Sequence, residues 1–158
     1  MKLKKIFIYE ILGFFFISIF GIIFNYIYEL YNNDIIALFG AVNESIWEQV
    51  KVYIIPSLIW LIIEYFNIKE IPNFAIAKLS SIVLINLINI FIQYVFRYIL
   101  SNEVLMVNTL VLYTSILLAQ MLSYKIIVGK VYSKGLNSIA TMLIIVILSL
   151  YVAFTYLV

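Results

Sequence analysis

The chain has 158 residues, of which 66% are hydrophobic and only 11% are charged, and its formal net charge at pH 7 is +2. Soluble domains are about one quarter charged, so this composition excludes a water-soluble globule, makes the lipid bilayer the expected partner and predicts no nucleic-acid partner. Cysteine and histidine are absent, which excludes disulfides, thiolate nucleophiles, Ser-His-Asp triads and the usual His/Cys sites for zinc or haem.

Five apolar stretches have the length that a transmembrane helix needs, about 20 residues. They cover residues 6–28, 46–66, 74–100, 104–124 and 136–157. The apolar runs are continuous and lack the alternation of barrel strands, which favours helices. The prediction is therefore all-α: one transmembrane domain over residues 1–158, built as a five-helix bundle in the bacterial cytoplasmic membrane.

Basic residues predict the orientation of this bundle. With the N-terminus inside, most lysines fall at the cytoplasmic face, as the positive-inside rule requires. These are Lys2, Lys4, Lys5, Lys69, Lys125, Lys130 and Lys134. An odd number of crossings then places the C-terminus outside.

Between the first two predicted helices, the segment NESIWEQVK (residues 43–51) is the densest polar cluster of the chain. Ser45 and Glu48 have the spacing of a reciprocal capping box, which predicts that the second helix begins at Ile46. A cap does not need the other polar side chains, so the segment also supplies candidates for binding a solute or ion. These candidates are Asn43, Glu44, Trp47, Glu48 and Lys51.

Carboxylates in the same outer region are weak candidates for a metal site. They are Glu29, Asp34, Glu44 and Glu48. No cofactor is predicted, and a bound metal would be a hard divalent cation, since such ions prefer oxygen ligands. A solvated acidic loop is the favoured interpretation.

The segment NESIWEQVK, followed by Pro56, resembles the motif N-E-S-x-W-E-H-x-K with a downstream proline. This motif marks an uncharacterised family of small polytopic membrane proteins from Gram-positive bacteria, and the resemblance covers about residues 25–64. It implies a membrane location but no activity. The chain has Gln49 and Asn25 where the pattern has histidine, so a role of those histidines in proton or zinc chemistry would be lost here.

Two groups of polar residues lie within the predicted spans, where ionisable side chains usually face the bundle interior. Glu10, Glu64 and Lys78 have similar predicted depth, which indicates an ion-paired cluster near the cytoplasmic side. Asn86, Asn89, Gln93 and Arg97 share one face of the third predicted helix. Such a row either bonds helices together or lines a wet cavity that opens outward, and its members are candidate binding residues.

Three functions fit these features. The favoured hypothesis is a protein that binds or transports a solute or ion, either as a homo-oligomer or as a subunit of a larger membrane complex. The first alternative is an intramembrane enzyme that acts on lipid or peptide with carboxylates as acid and base; the missing His and Cys weigh against it. The second alternative is a non-catalytic scaffold or accessory subunit, in which the polar residues serve packing.

Overall fold

The computed structural model describes residues 2–43, 45–68, 71–100 and 105–157. Glu44 and the side chain of Arg97, both predicted binding candidates, lie outside the described part. The helices are α1 (Lys2–Leu30), α2 (Asp34–Ala37), α3 (Ile46–Asn67), α4 (Phe74–Tyr94), α5 (Leu105–Val128) and α6 (Lys134–Leu157), and a π-helical segment, Val95–Leu100, continues α4. The described residues contain no strand.

Five of these helices, all except the four-residue α2, are long and apolar enough to cross a bilayer. The predicted all-α fold with five membrane-length helices is therefore confirmed. Two details differ from the prediction. The third predicted helix changes from α to π geometry at Val95, and the outer loop contains the additional helix α2.

The bundle has four central helices, α1, α3, α4 and α5, and one peripheral helix, α6. α1 packs against α3 and α5, while α4 packs against α3, α5 and α6. Most of α6 is exposed, and the outward faces of α1, α4 and α5 also carry large exposed apolar side chains. Lipid is the solvent that suits such faces, because in water they would form a large apolar surface.

The two ends of the bundle differ in structure. The end that holds α2, called the α2 end below, also contains the Asn43 segment; the opposite end is called the N-terminal end. At the N-terminal end the buried Asn73 ties two loops together. Its Nδ2 donates to the carbonyl oxygens of Ile126 and Lys130 at 2.8 Å each, and its Oδ1 accepts from Tyr132 N at 2.9 Å.

Candidate functional site

A polar cavity of about 630 Å³ opens at the α2 end, between α1, α3, α4 and α5. Its wall contains amide, phenol and hydroxyl side chains from all four helices, and among the described residues it contains one carboxylate. The polar residues that line it are Asn25, Tyr26, Tyr28, Glu29, Asn43, Gln49, Tyr53, Asn89, Gln93, Thr109 and Tyr113. The cavity therefore offers many hydrogen-bonding groups, and the described lining residues include no basic side chain.

The segment NESIWEQVK divides between this cavity and the packing of the loop. Asn43 and Gln49 line the cavity. Lys51 is fully buried and donates to the carbonyl oxygen of Ala37 at 2.7 Å, while its ammonium lies 2.6 Å from Glu48 Oε2. Lys51 therefore fixes the end of α2 to the first turns of α3.

Only half of the predicted capping box forms. Ser45 is the N-cap of α3, and its hydroxyl accepts from Glu48 N at 3.3 Å. The predicted reciprocal bond from Ser45 N to the Glu48 carboxylate does not form, because Ser45 N donates to Asn43 Oδ1. Glu48 Oε2 instead accepts from Val42 N at 2.8 Å, so this carboxylate holds the loop before the helix while it pairs with Lys51.

The remaining candidates of the outer region lie apart from one another. Trp47 packs against Tyr151 of α6, with ring centroids 6.2 Å apart. Asp34 is exposed at the first residue of α2, and Glu29 is exposed at the mouth of the cavity. In the described part of the chain, Glu29, Asp34 and Glu48 do not form a group that could hold a metal ion.

The amide row of α4 has three different environments. Asn86 donates to the carbonyl oxygen of Ile82 in its own helix and does not line the cavity. Asn89 lines the cavity and also bonds α4 to α5, donating to Ser115 Oγ at 3.0 Å. Gln93 lines the cavity, and its Oε1 is buried without a hydrogen-bond partner. Asn86 Oδ1 is also buried without a partner, but away from the cavity. Gln93 is therefore the member of the row with an unused acceptor in the cavity wall.

An apolar cluster forms the floor of the cavity. Its buried members are Ile17, Trp60, Ile85, Leu112, Ile116 and Ala119, and Leu112 also lines the cavity. Two glycines of α1 make room for rings of α3: a methyl group at Gly21 would collide with Tyr53, and one at Gly13 would collide with Trp60. The floor is thus closely packed, as protein interiors are.

Beyond this floor, the structure brings Glu10, Glu64 and Lys78 together inside the bundle. The Lys78 ammonium lies 2.8 Å from Glu10 Oε1 and 2.6 Å from Glu64 Oε2. Ser123 of α5 donates to Glu10 Oε1 at 2.6 Å. Each of these four side chains is more than nine-tenths buried, so the cluster joins α1, α3, α4 and α5 away from bulk water.

Several lining residues were not among the predicted binding candidates. Asn25 and Gln49 stand at the two positions where the resembled motif has histidine, and both face the cavity. That departure from the pattern was the signal that could have singled them out. Thr109 and Tyr113 are four residues apart on α5 and also face the cavity; their helical spacing was the available signal.

Comparisons with known proteins identify the family of the chain. The chain matches the family described as "Family of unknown function (DUF6512)" over residues 1–158 and belongs to it. No curated protein and no solved structure matches the chain.

Proposed function

We propose that this member of a family of unknown function is a multi-pass membrane protein that binds a small polar solute in the cavity at the α2 end. The observation that carries the proposal is the cavity itself, whose wall combines amides and hydroxyls from four apolar helices. Amide side chains inside a membrane protein are costly unless they find partners. Helix-to-helix bonding accounts for Asn89. It leaves the oxygens of Asn86 and Gln93 without partners, and of these two residues Gln93 lines the cavity.

The lining favours one class of solute. Asparagine and glutamine both donate and accept hydrogen bonds, and tyrosine does the same through its hydroxyl. Glu29 is the carboxylate among the described lining residues, and a basic side chain to hold an anion is missing from that set. We therefore expect a neutral or cationic solute with several hydroxyl or amino groups. Anions fit this wall poorly.

Transport is the larger role that we infer for this binding site. The cavity reaches one end of the bundle, and its apolar floor separates it from the Glu10–Lys78–Glu64 cluster. A site open to one side and closed to the other is what alternating access needs in one of its states. Five helices form a small body for such a cycle, so we propose a homo-oligomer or a partner subunit as the complete transporter.

Binding is tested with the purified protein in lipid nanodiscs. A panel of polyols, amino sugars and polyamines, with dicarboxylates as anionic controls, is screened for thermal stabilisation, and hits are measured by equilibrium binding. Gln93→Leu is expected to weaken binding about tenfold, which corresponds to one hydrogen bond of about 1.4 kcal/mol. Asn86→Leu, the matched amide of the same helix that does not line the cavity, is expected to leave the affinity unchanged.

Three outcomes would contradict the proposal. Absence of binding across the panel would favour the scaffold hypothesis, in which the amides serve packing alone. Equal loss of affinity in Gln93→Leu and Asn86→Leu would place the site elsewhere. Preferential binding of the dicarboxylates would overturn the argument from the charge of the wall.

A further inference from the structure

A second recess, lined by α1 and α5, lies at the side of the bundle. It has a volume of about 600 Å³, within the range of small-molecule sites. Its walls are almost wholly apolar, and Phe7, Phe15 and Met121 are each about half exposed on the outer face of the bundle. This groove, called the α1–α5 groove below, therefore faces lipid. It is separate from the polar cavity in the set of residues that line it.

Two polar side chains lie at the bottom of the α1–α5 groove. They are Glu10 and Gln120, whose relative exposures are 3% and 4%. Glu10 Oε1 is used by Lys78 and Ser123, but Glu10 Oε2 is buried without a hydrogen-bond partner. Gln120 Oε1 is also buried without one. Both atoms are acceptors, and the methylene groups of a lipid chain cannot satisfy them.

The charge at this place is unbalanced. Glu10 and Glu64 share Lys78, which is the only basic side chain within ion-pair distance of either carboxylate among the described residues. With both carboxylates ionised, the cluster has one negative charge in excess. Buried charges in a membrane are strongly favoured to pair. One further positive group at Glu10 Oε2 would bring the net charge of the cluster to zero.

We propose that the α1–α5 groove binds a single-chain cationic amphiphile, with its ammonium on Glu10 Oε2 and Gln120 Oε1. The apolar tail lies along Ile11, Phe14, Phe15 and Leu117, which line the groove from Glu10 toward the middle of the helices. A tail in that direction points to the bilayer centre, as the tails of the surrounding lipids do. The ligand enters sideways from the membrane and needs no path through the polar cavity.

Lys125 at the rim offers the opposite electrostatic choice. It lines the groove, is exposed and lies about one turn beyond Gln120 on α5. A long lysine side chain at such a position extends toward the headgroup region. An anionic amphiphile would bind through Lys125, whereas a cationic one binds through Glu10. Substituting each residue therefore distinguishes the two ligands.

Quenching of Trp60 fluorescence tests the proposal directly. The chain has two tryptophans, so Trp47→Phe leaves Trp60. Trp60 lies beside Gln120, since a methyl group at Gly13 would touch both side chains. In phosphatidylcholine nanodiscs, 6-bromododecylammonium, whose bromine lies close enough to the ammonium to approach Trp60, is expected to quench Trp60 saturably. The matched probe 6-bromododecanol is expected to show only the linear quenching of general partitioning, and dodecanoate is expected not to compete.

Variants assign the binding to named groups. Glu10→Gln leaves Lys78 and Glu64 as a balanced pair, and it is expected to weaken the saturable component at least about tenfold, because the charge-assisted contact is lost. Gln120→Leu keeps the charges and is expected to weaken it less. Lys125→Gln is the control at the rim and is expected to leave it unchanged or slightly stronger.

Saturable quenching that survives in both Glu10→Gln and Gln120→Leu would overturn the proposal. Equal quenching by the bromoalcohol would show that charge plays no part, and competition by dodecanoate that is lost in Lys125→Gln would assign the groove to an anionic ligand. If Glu10→Gln fails to fold, the comparison of the three probes on the otherwise unchanged protein still decides. Failure here leaves the solute site untouched, since the two sites share no lining residue.

Discussion

Single residues of the same chemical type serve different purposes in this bundle. Asn86 bonds within its own helix, Asn89 joins two helices, and Gln93 retains an unused acceptor at the cavity. The charged side chains differ in the same way. Lys51 fixes a loop, whereas Lys78 neutralises carboxylates from two other helices. Position within the bundle, rather than residue type, decides which polar group is available to a ligand.

Removing Lys78 should lower the free energy of unfolding, because the cluster then loses its cation. Lys78→Met leaves Glu10 and Glu64 buried without a cation, and removing one partner of a buried ion pair typically costs about 3–5 kcal/mol of unfolding free energy. Adding Glu64→Gln removes one of the two stranded charges and is expected to recover part of that loss. Thermal unfolding in detergent measures both variants and the single change Glu64→Gln.

The double-mutant cycle built from these variants measures the coupling energy between Lys78 and Glu64. Residues in one buried network usually show coupling of about 0.5–3 kcal/mol. Additive effects of Lys78→Met and Glu64→Gln would mean that the close approach of their side chains contributes nothing to stability.

At the level of helices, side chains of α3 hold the loop that connects α1 to α3. Glu48 and Lys51, three residues apart on α3, bind the loop at Val42 and the end of α2 at Ala37. Tyr151 of α6 donates to the carbonyl oxygen of Leu38. The mouth of the cavity is therefore held by side chains that do not line it.

Two substitutions at the start of α3 are expected to differ in cost. Ser45→Ala removes a cap whose loss usually costs about 0.5–2 kcal/mol of stability. Lys51→Met leaves Glu48 buried and unpaired, and the loss is expected to approach about 3–5 kcal/mol. The free energies of unfolding in detergent compare the two directly. A smaller loss for Lys51→Met than for Ser45→Ala would contradict the role assigned to the lysine.

Hydropathy and depth were sufficient to predict the helices and the grouping of Glu10, Glu64 and Lys78, because buried charges must find partners at matching depth. The rotation of each helix about its axis was not predictable in the same way, since it depends on packing against neighbours. Asn86 therefore lies outside the cavity that Asn89 and Gln93 line. The π-helical segment Val95–Leu100 also ends the α-helical spacing on which the row was extended to Arg97.

On the scale of the whole molecule, the polar cavity and the ionic cluster lie on either side of a packed apolar layer. The cavity occupies the α2 end, and the ionic cluster lies toward the N-terminal end. Ile17, Trp60 and Ile116 fill the space between them. If the proposed solute is transported, it meets this layer before it can reach the charges, and its passage requires the layer to open.

The orientation of the cavity across the membrane decides which compartment would supply the proposed solute. The distribution of lysines predicts that the N-terminal end is cytoplasmic, so the cavity is expected to open to the outside. Because the chain has no cysteine, single substitutions report topology without a modified background. Asn32→Cys probes the α2 end and Lys130→Cys the N-terminal end, and both positions are exposed. In intact cells, an impermeant maleimide is expected to label the first variant and not the second, while permeabilised cells should show both. Labelling of Lys130→Cys alone in intact cells would invert the bundle and make the cytoplasm the source of the solute.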